Sequence, residues 1–436
     1  MRLLICLLFG LLTPLLAQQA GPSIRVGESV LVSRGLESRP LTEPHLVAHP
    51  TDPNHLLGAT IVSSATAAWS ADQYCAAFLS RDGGRTWTRH DFAVLECGDP
   101  WVGITAQGTA VFTVLARHRS LPDTNSQLLV FLSADGGRTW NQTPQSLGRG
   151  HDHQTVAADA EGRIYILSGQ GWRDAANTLR WSVFVARARP GRSYFDAVHR
   201  FVPSNLNINT EGLAVLSDSS VVLSFVDFQR NVDGFTREGR LDRPRVWVMV
   251  SRDRGETFSI PLLVTESCGS GWSFLAADTS SGPHRNRLYH VCRNREGTAI
   301  LLHHSADRGE RWSNPIPVES PARDSATRSH PQVAVNREGV LGVVWIDGRD
   351  DSTRRCHAVY FTASLDGGQS FLPATRLSSE LSCPDSTRNG QAFARWPKGG
   401  DYFGLAAAAD GRFHAFWADA RSSMFQIWTV PVTMTR

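Results

Sequence analysis

Lysine is all but missing from this chain: Lys398 is the only one, and the remaining positive charge is carried by arginine. The arginines are scattered, and the formal net charge is only +3 over 436 residues, so a nucleic-acid partner is not indicated. Beyond the first residues no apolar run is long enough to span a bilayer. A Gly-x-Ser-x-Gly elbow, a Walker loop and a His-Glu-x-x-His pair are all lacking. So are Cys-x-x-Cys pairs and Cys/His clusters at zinc spacing. Neither a cofactor nor a bound metal is therefore expected.

What is present begins with Met1-Arg2, an apolar run from Leu3 to Leu16, and the exit Ala17-Gln18-Gln19-Ala20. This predicts an export signal over 1–20 and a single domain over 21–436, placed outside the cell or in a periplasm. Cys6 lies inside the hydrophobic run, which argues against a lipid anchor. The other six cysteines form an even set suited to disulfides in an oxidising compartment.

The strongest pattern is a repeat, Ser-x-Asp-x-Gly-x-x-Trp/Phe, at Ser80–Trp87, Ser133–Trp140, Ser251–Phe258, Ser305–Trp312 and Ser364–Phe371. A sixth, decayed copy at Arg187–Tyr194 keeps the glycine and the aromatic. A carboxylate that accepts turn N–H groups, followed by glycine at positive φ, describes a tight hairpin. These aspartates therefore read as structural, because chemistry does not need the same group in five equivalent places. Between the turns run apolar strand pairs whose first members lie at His45–Ala48, Trp101–Ile104, Gln154–Ala157, Gly212–Val215, Phe274–Ala277, Gln332–Val335 and Gly404–Ala407.

Seven inner strands with six turns predict an all-β, seven-bladed β-propeller of four-stranded antiparallel blades, six blades being the alternative. Its last blade would be completed by the N-terminal segment Ile24–Val32, a closure that leaves no long free edge. The register favours Cys75 with Cys97, Cys268 with Cys292, and Cys356 with Cys383, all on the face opposite the turns. That face carries polar heads of inner strands: Glu43, Asp99, Asp152, His153, Glu211, His330, Asp401 and Tyr402. At the second-strand exits stand Arg117, Arg173, Asp227, Arg230, Arg293, Asp347, Arg349, Asp419 and Arg421. The plain reading of these exits is a solvated rim in which Trp345-Ile346-Asp347-Gly348-Arg349 and Trp417-Ala418-Asp419-Ala420-Arg421 are repeat consensus, with Asp–Arg pairs bridging blades. His151-Asp152-His153 reads as a satisfied loop pair rather than a metal site.

Turns, propeller pattern and export signal together resemble the sialidase (neuraminidase) superfamily of Asp-box, or BNR-repeat, proteins, over nearly the whole mature chain. That resemblance implies a glycoside hydrolase acting on glycans with a tyrosine nucleophile, an exception to the usual carboxylate pair. Tyr402 would be the nucleophile, Glu211 its assisting glutamate and Asp72 the acid/base, while Arg295 matches one carboxylate-binding arginine. The sequence departs from the family at the other two arginines, where Glu43-Pro44-His45-Leu46 and Asp227 stand instead. An acid about 4 Å from a substrate carboxylate costs on the order of 4 kcal/mol at an effective dielectric near 20. Sialidase action would then need Arg349, Arg421 or Arg230 to substitute. The expectation is a secreted, monomeric sialidase-like propeller, with a non-catalytic propeller that binds a glycan or an extracellular protein as the alternative.

Overall fold

The computed structural model describes residues 21–435 except 65–71, 122, 124, 174, 176, 178, 196, 202–205, 231–239, 270–272 and 320–324; the export signal expected over 1–20 lies outside them. Seven antiparallel sheets follow one another along the chain. Their inner strands are Leu41–Ala48, Val94–Ile104, His151–Ala158, Leu206–Val215, Phe274–Ala277, Arg328–Val335 and Gly404–Ala407. Neighbouring inner strands touch in order, and the seventh packs back on the first, so the ring is closed. Six blades take their outermost strand from the chain ahead. The seventh takes Ser23–Val26, which pairs antiparallel with Gln426–Thr435 from Ser23↔Thr435 to Val26↔Val432, and Val30–Leu31 pairs further along the same strand.

Each Ser-x-Asp-x-Gly segment closes the hairpin between the third and fourth strands of a blade. In the first, Asp82 accepts the N–H groups of Arg85 at 3.0 Å and Thr86 at 2.9 Å, while Ser80 Oγ accepts Gly84 N–H at 2.9 Å. The same set recurs around Asp135 and Asp366. Two successive residues have positive φ at each turn. Both are glycine at Gly83–Gly84, but arginine holds the first place at Arg254–Gly255 and Arg308–Gly309. The decayed copy also forms a turn, with Gly191 at φ 70°.

Three middle strands, Leu56–Val62, Leu341–Asp347 and Phe413–Asp419, are buried along their whole length. The core is thus a set of inter-blade layers, one joining Leu57, Ile61, Phe112 and Leu129 and another joining Phe361, Phe403, Phe413 and Trp417. All three expected disulfides form, with Cα separations of 6.0, 5.7 and 4.4 Å. One element has no counterpart in the sequence reading, a helix at Ser386–Arg395 between blades six and seven. It is capped by Asp385, which accepts Thr387 and Arg388 N–H. Among the described residues no helix is long and apolar enough to cross a membrane.

Candidate functional site at the propeller axis

Inner strands do not enter the sheet regularly. Register shifts occur at Thr42/His45, Asp152/Thr155, Thr210/Gly212 and Ser329/Gln332, and twice in blade two. At four of these heads a non-glycine residue has positive φ, namely Glu43 at 53°, Asp99 at 49°, His153 at 51° and His330 at 53°. Such bulges re-aim side chains.

The heads are clasped to one another around the ring. Asp99 N–H donates to Glu43 Oε2 at 3.1 Å, His153 N–H to Asp99 Oδ2 at 3.2 Å, and Thr210 Oγ1 to the His153 carbonyl at 2.7 Å. Ser273 N–H donates to Glu211 Oε2 at 2.7 Å, and the Ser273 hydroxyl bonds the same oxygen. Blade seven closes the ring through His330 Nε2 to Gly400 O at 3.0 Å and Glu43 N–H to Gly399 O at 2.9 Å. Blade closure thus uses one oxygen of each carboxylate. Glu43 Oε1 and Glu211 Oε1 are buried without a partner.

So many acids in one place disturb their titration. Burial pushes the Glu211 carboxyl up to about 8 against the opposing bonds from Ser273. Burial, followed by repulsion from Asp99 and Asp401, raises Glu43. Asp152 rises to about 6, through burial and then through Asp99 and Asp401, with His153 opposing. For His153 burial favours the neutral ring, but Asp152, Asp99, Asp401 and Glu211 outweigh it and raise its value. Asp152 keeps 34% of its side chain exposed, with Oδ1 3.7 Å from His153 Nε2. Glu211 is only 3% exposed. The arrangement is an acidic cluster at the inner-strand heads, with a part-exposed Asp–His pair and a buried carboxyl held above the usual carboxylate range. One ligand atom each from Asp99, Asp152 and His153 falls within 4.8 Å of the others, a set able to hold a cation. His151 takes no part, because the bulge turns it away toward Ser168 at 3.2 Å.

Tyr402 also reaches the axis, but as part of the core. It is 3% exposed, meets Trp101 edge-on at 5.0 Å, and directs its hydroxyl to Pro100 O at 3.5 Å. Burial and the surrounding acids, Glu43 first, raise its ionisation. Among the described residues no hydrogen bond joins it to Glu211. Asp72 is exposed just ahead of Tyr74–Ser80, 3.7 Å from Arg39. Arg295 stands exposed in the loop after Leu288–Arg293. The side chain of Arg230 lies outside the described residues.

Arg349 and Arg421 are committed elsewhere. Arg349 bonds Glu319 at 2.6 and 2.7 Å and Asp347 at 2.5 Å, and stacks on Tyr360. Arg421 bonds Asp419 at 2.7 Å and stacks on Trp428. In both blades the buried aspartate also accepts the indole N–H two residues earlier, from Trp345 at 2.8 Å and Trp417 at 2.9 Å. The Asp–Arg pairs expected to bridge blades therefore act within them, because these bonds span only two residues. Asp227 likewise binds Arg245 at 2.6 Å and Trp247 Nε1 at 3.1 Å, so this acid is neutralised within its own blade.

No protein-family model and no curated protein matches the sequence. Among solved structures, the chain is similar to a protein of unknown function from Dyadobacter fermentans, with a TM-score of 0.51, 12% identity, and coverage of 94% of this chain and 99% of that one. It is equally similar to a polysaccharide lyase, the PL25 ulvan lyase, with a TM-score of 0.51, 10% identity and coverage of 92% and 95%. A leech intramolecular trans-sialidase aligns over 93% of both chains with a TM-score of 0.41 and 9% identity. At these identities the shared property is the propeller fold.

Proposed function

We propose that this is an exported, carbohydrate-directed propeller that works at the axial acidic cluster, with Asp152 and His153 as its proton-exchanging pair and Glu211 as a protonated carboxyl of the same cluster. The observation that carries this reading is the gathering of Asp99, Asp152 and His153 on bulged strand heads, their ligand atoms within 4.8 Å of one another, where burial and mutual repulsion raise Asp152, and burial raises Glu211, above the usual carboxylate range. Carboxyl groups whose environments set different protonation states are what acid–base cleavage of a glycosidic bond requires. The three disulfides suit an oxidising compartment, and one solved propeller of similar fold is a polysaccharide lyase.

The narrower form is sialidase-type hydrolysis with Tyr402 as nucleophile, Glu211 as its partner, Asp72 as acid/base, and Arg295 with Arg349, Arg421 or Arg230 as clamps. It requires Tyr402 to leave its place against Trp101 and Pro100. The clasp favours a second reading, saccharide binding without turnover, since Glu43, Asp99 and Glu211 already serve blade closure.

A panel of fluorogenic glycosides, sialosides included, together with polyuronates followed by ultraviolet absorbance of unsaturated products, separates these readings. Turnover lost in Asp152→Asn and His153→Gln but kept in Tyr402→Phe supports the Asp–His pair. Loss in Tyr402→Phe with retention in Asp152→Asn supports the tyrosine mechanism. Saccharide binding without turnover supports the binding module, and neither binding nor turnover contradicts the carbohydrate reading.

A further inference from the structure

Off the axis, between blades six and seven, lies a cavity of about 530 Å³ on the same face. Its wall includes Lys398, Arg354, Arg355, His357, Asp385 and Phe393. The Cys356–Cys383 disulfide ties together the two segments that form it, and the Ser386–Arg395 helix supplies one side. The only lysine of the chain is thus placed on the wall of this hollow.

Lys398 hydrogen-bonds the Ser329 hydroxyl at 2.9 Å. Among the described residues no carboxylate lies within ion-pair distance of it. Beside it, His357 is 5% exposed and its Nε2 is buried without a partner. Burial, with Lys398 next, draws the His357 ring down to about 4, so it is neutral at physiological pH. Arg355 is exposed and Arg354 reaches Ser325 Oγ at 2.6 Å. The one acid on the wall, Asp385, is occupied in capping the helix. Three cations therefore face a hollow with a single, engaged carboxylate. Desolvating an ammonium without a counter-ion is unfavourable, and here burial, then Arg293, lowers Lys398 to about 8 while Asp347 opposes. An arriving anion would reverse that. Phe393 and Pro397 add an apolar wall of the kind on which a sugar ring packs.

We propose that this cavity is an anion subsite that holds the carboxylate or sulfate of an acidic saccharide through Lys398 and Arg355, with His357 Nε2 bonding the same group or an adjacent hydroxyl. The proposal rests on the carbohydrate reading only for the class of molecule; it does not depend on catalysis at the axis.

The composition gives a direct test. After cleavage of the export signal, reductive ¹³C-methylation labels only Lys398 and the α-amine, and Lys398→Arg identifies the lysine resonance by removing it. Sodium glucuronate, glucose 6-sulfate, glucose and inorganic sulfate are titrated in turn into the folded, oxidised protein. The two anionic sugars should move the resonance and raise its titration midpoint by about half a unit or more, while glucose should leave it unchanged. By calorimetry Lys398→Gln should weaken glucuronate roughly tenfold, the loss of one charge-assisted hydrogen bond, and Lys398→Arg should retain most of the affinity. Glu211→Gln, which disables the axial cluster, should leave this response intact and so separates failure of the axial reading from failure of this one. No response to either anionic sugar, a response to inorganic sulfate alone, or unchanged affinity in Lys398→Gln overturns the proposal.

Discussion

At the scale of single residues, a carboxylate's surroundings decide its work. Asp135 accepts Arg138 and Thr139 N–H and the Thr139 hydroxyl, and these bonds outweigh burial to hold it near 2. Asp135→Ala removes an acceptor that organises a whole hairpin and should cost about 1–2 kcal/mol, read as a lower midpoint in urea unfolding. Glu211 is the opposite case. Its folded value near 8 lies above the ordinary 4.5, so the folded state binds the proton more tightly than the unfolded one. Its stability contribution is complete below 4.5 and is lost as pH rises through 8. Glu211→Gln should flatten that fall, worth on the order of 2–4 kcal/mol, while leaving stability at pH 4 nearly unchanged. A pH series of urea melts for the two proteins makes the comparison.

At the scale of elements, the inner strands meet closely enough that some positions admit no side chain. A Cβ on Gly212 would stand 2.6 Å from Leu275 Cβ and 2.9 Å from its backbone nitrogen. Gly212→Ala should therefore push blades four and five apart at a cost of about 1–3 kcal/mol, visible as a lower melting midpoint; an unchanged midpoint would mean that the blade contact is looser. This scale also marks the boundary of what the sequence reveals. Ser-x-Asp-x-Gly turns are local, so five full copies and a worn one place the hairpins, and the strand missing from blade seven follows from the spacing. Cysteine partners follow once the blades are counted. The bulges at Glu43, Asp99, His153 and His330 do not follow, because non-glycine residues there adopt positive φ, which no local residue pattern signals. Period-two alternation consequently fails at the very heads that build the site. Tyr402 could be located on its strand by pattern, yet its burial against Trp101 depends on blade two. The repeated Trp-x-Asp-x-Arg marks Asp347 with Arg349 and Asp419 with Arg421 as partners but suggests that they bridge blades, whereas they act within one; the Lys398 cavity needs the intervening helix, for which no repeat gives a signal.

For the molecule as a whole, closure is the organising fact. The N-terminal strand completes the last blade, and Val32 and Leu36 are buried beside Phe425 and Ile427. Deleting residues 21–31 would leave Gln426–Thr435 as a bare edge, and should lower the melting midpoint by roughly 5 °C or more and promote aggregation. The same closure brings acids from blades one, two, three, four and seven to one axis, where Glu43, Asp152 and Glu211 are held above the ordinary carboxylate range. The central claim is that this convergence makes the axial cluster the working site. It is tested most directly by a ¹³C-carboxyl NMR titration of the folded protein, with Glu211→Gln assigning the resonance. A Glu211 carboxyl that titrates near 8, and whose midpoint moves when a saccharide is bound, is the expected result; one that titrates near 4.5 and ignores every saccharide would contradict the account.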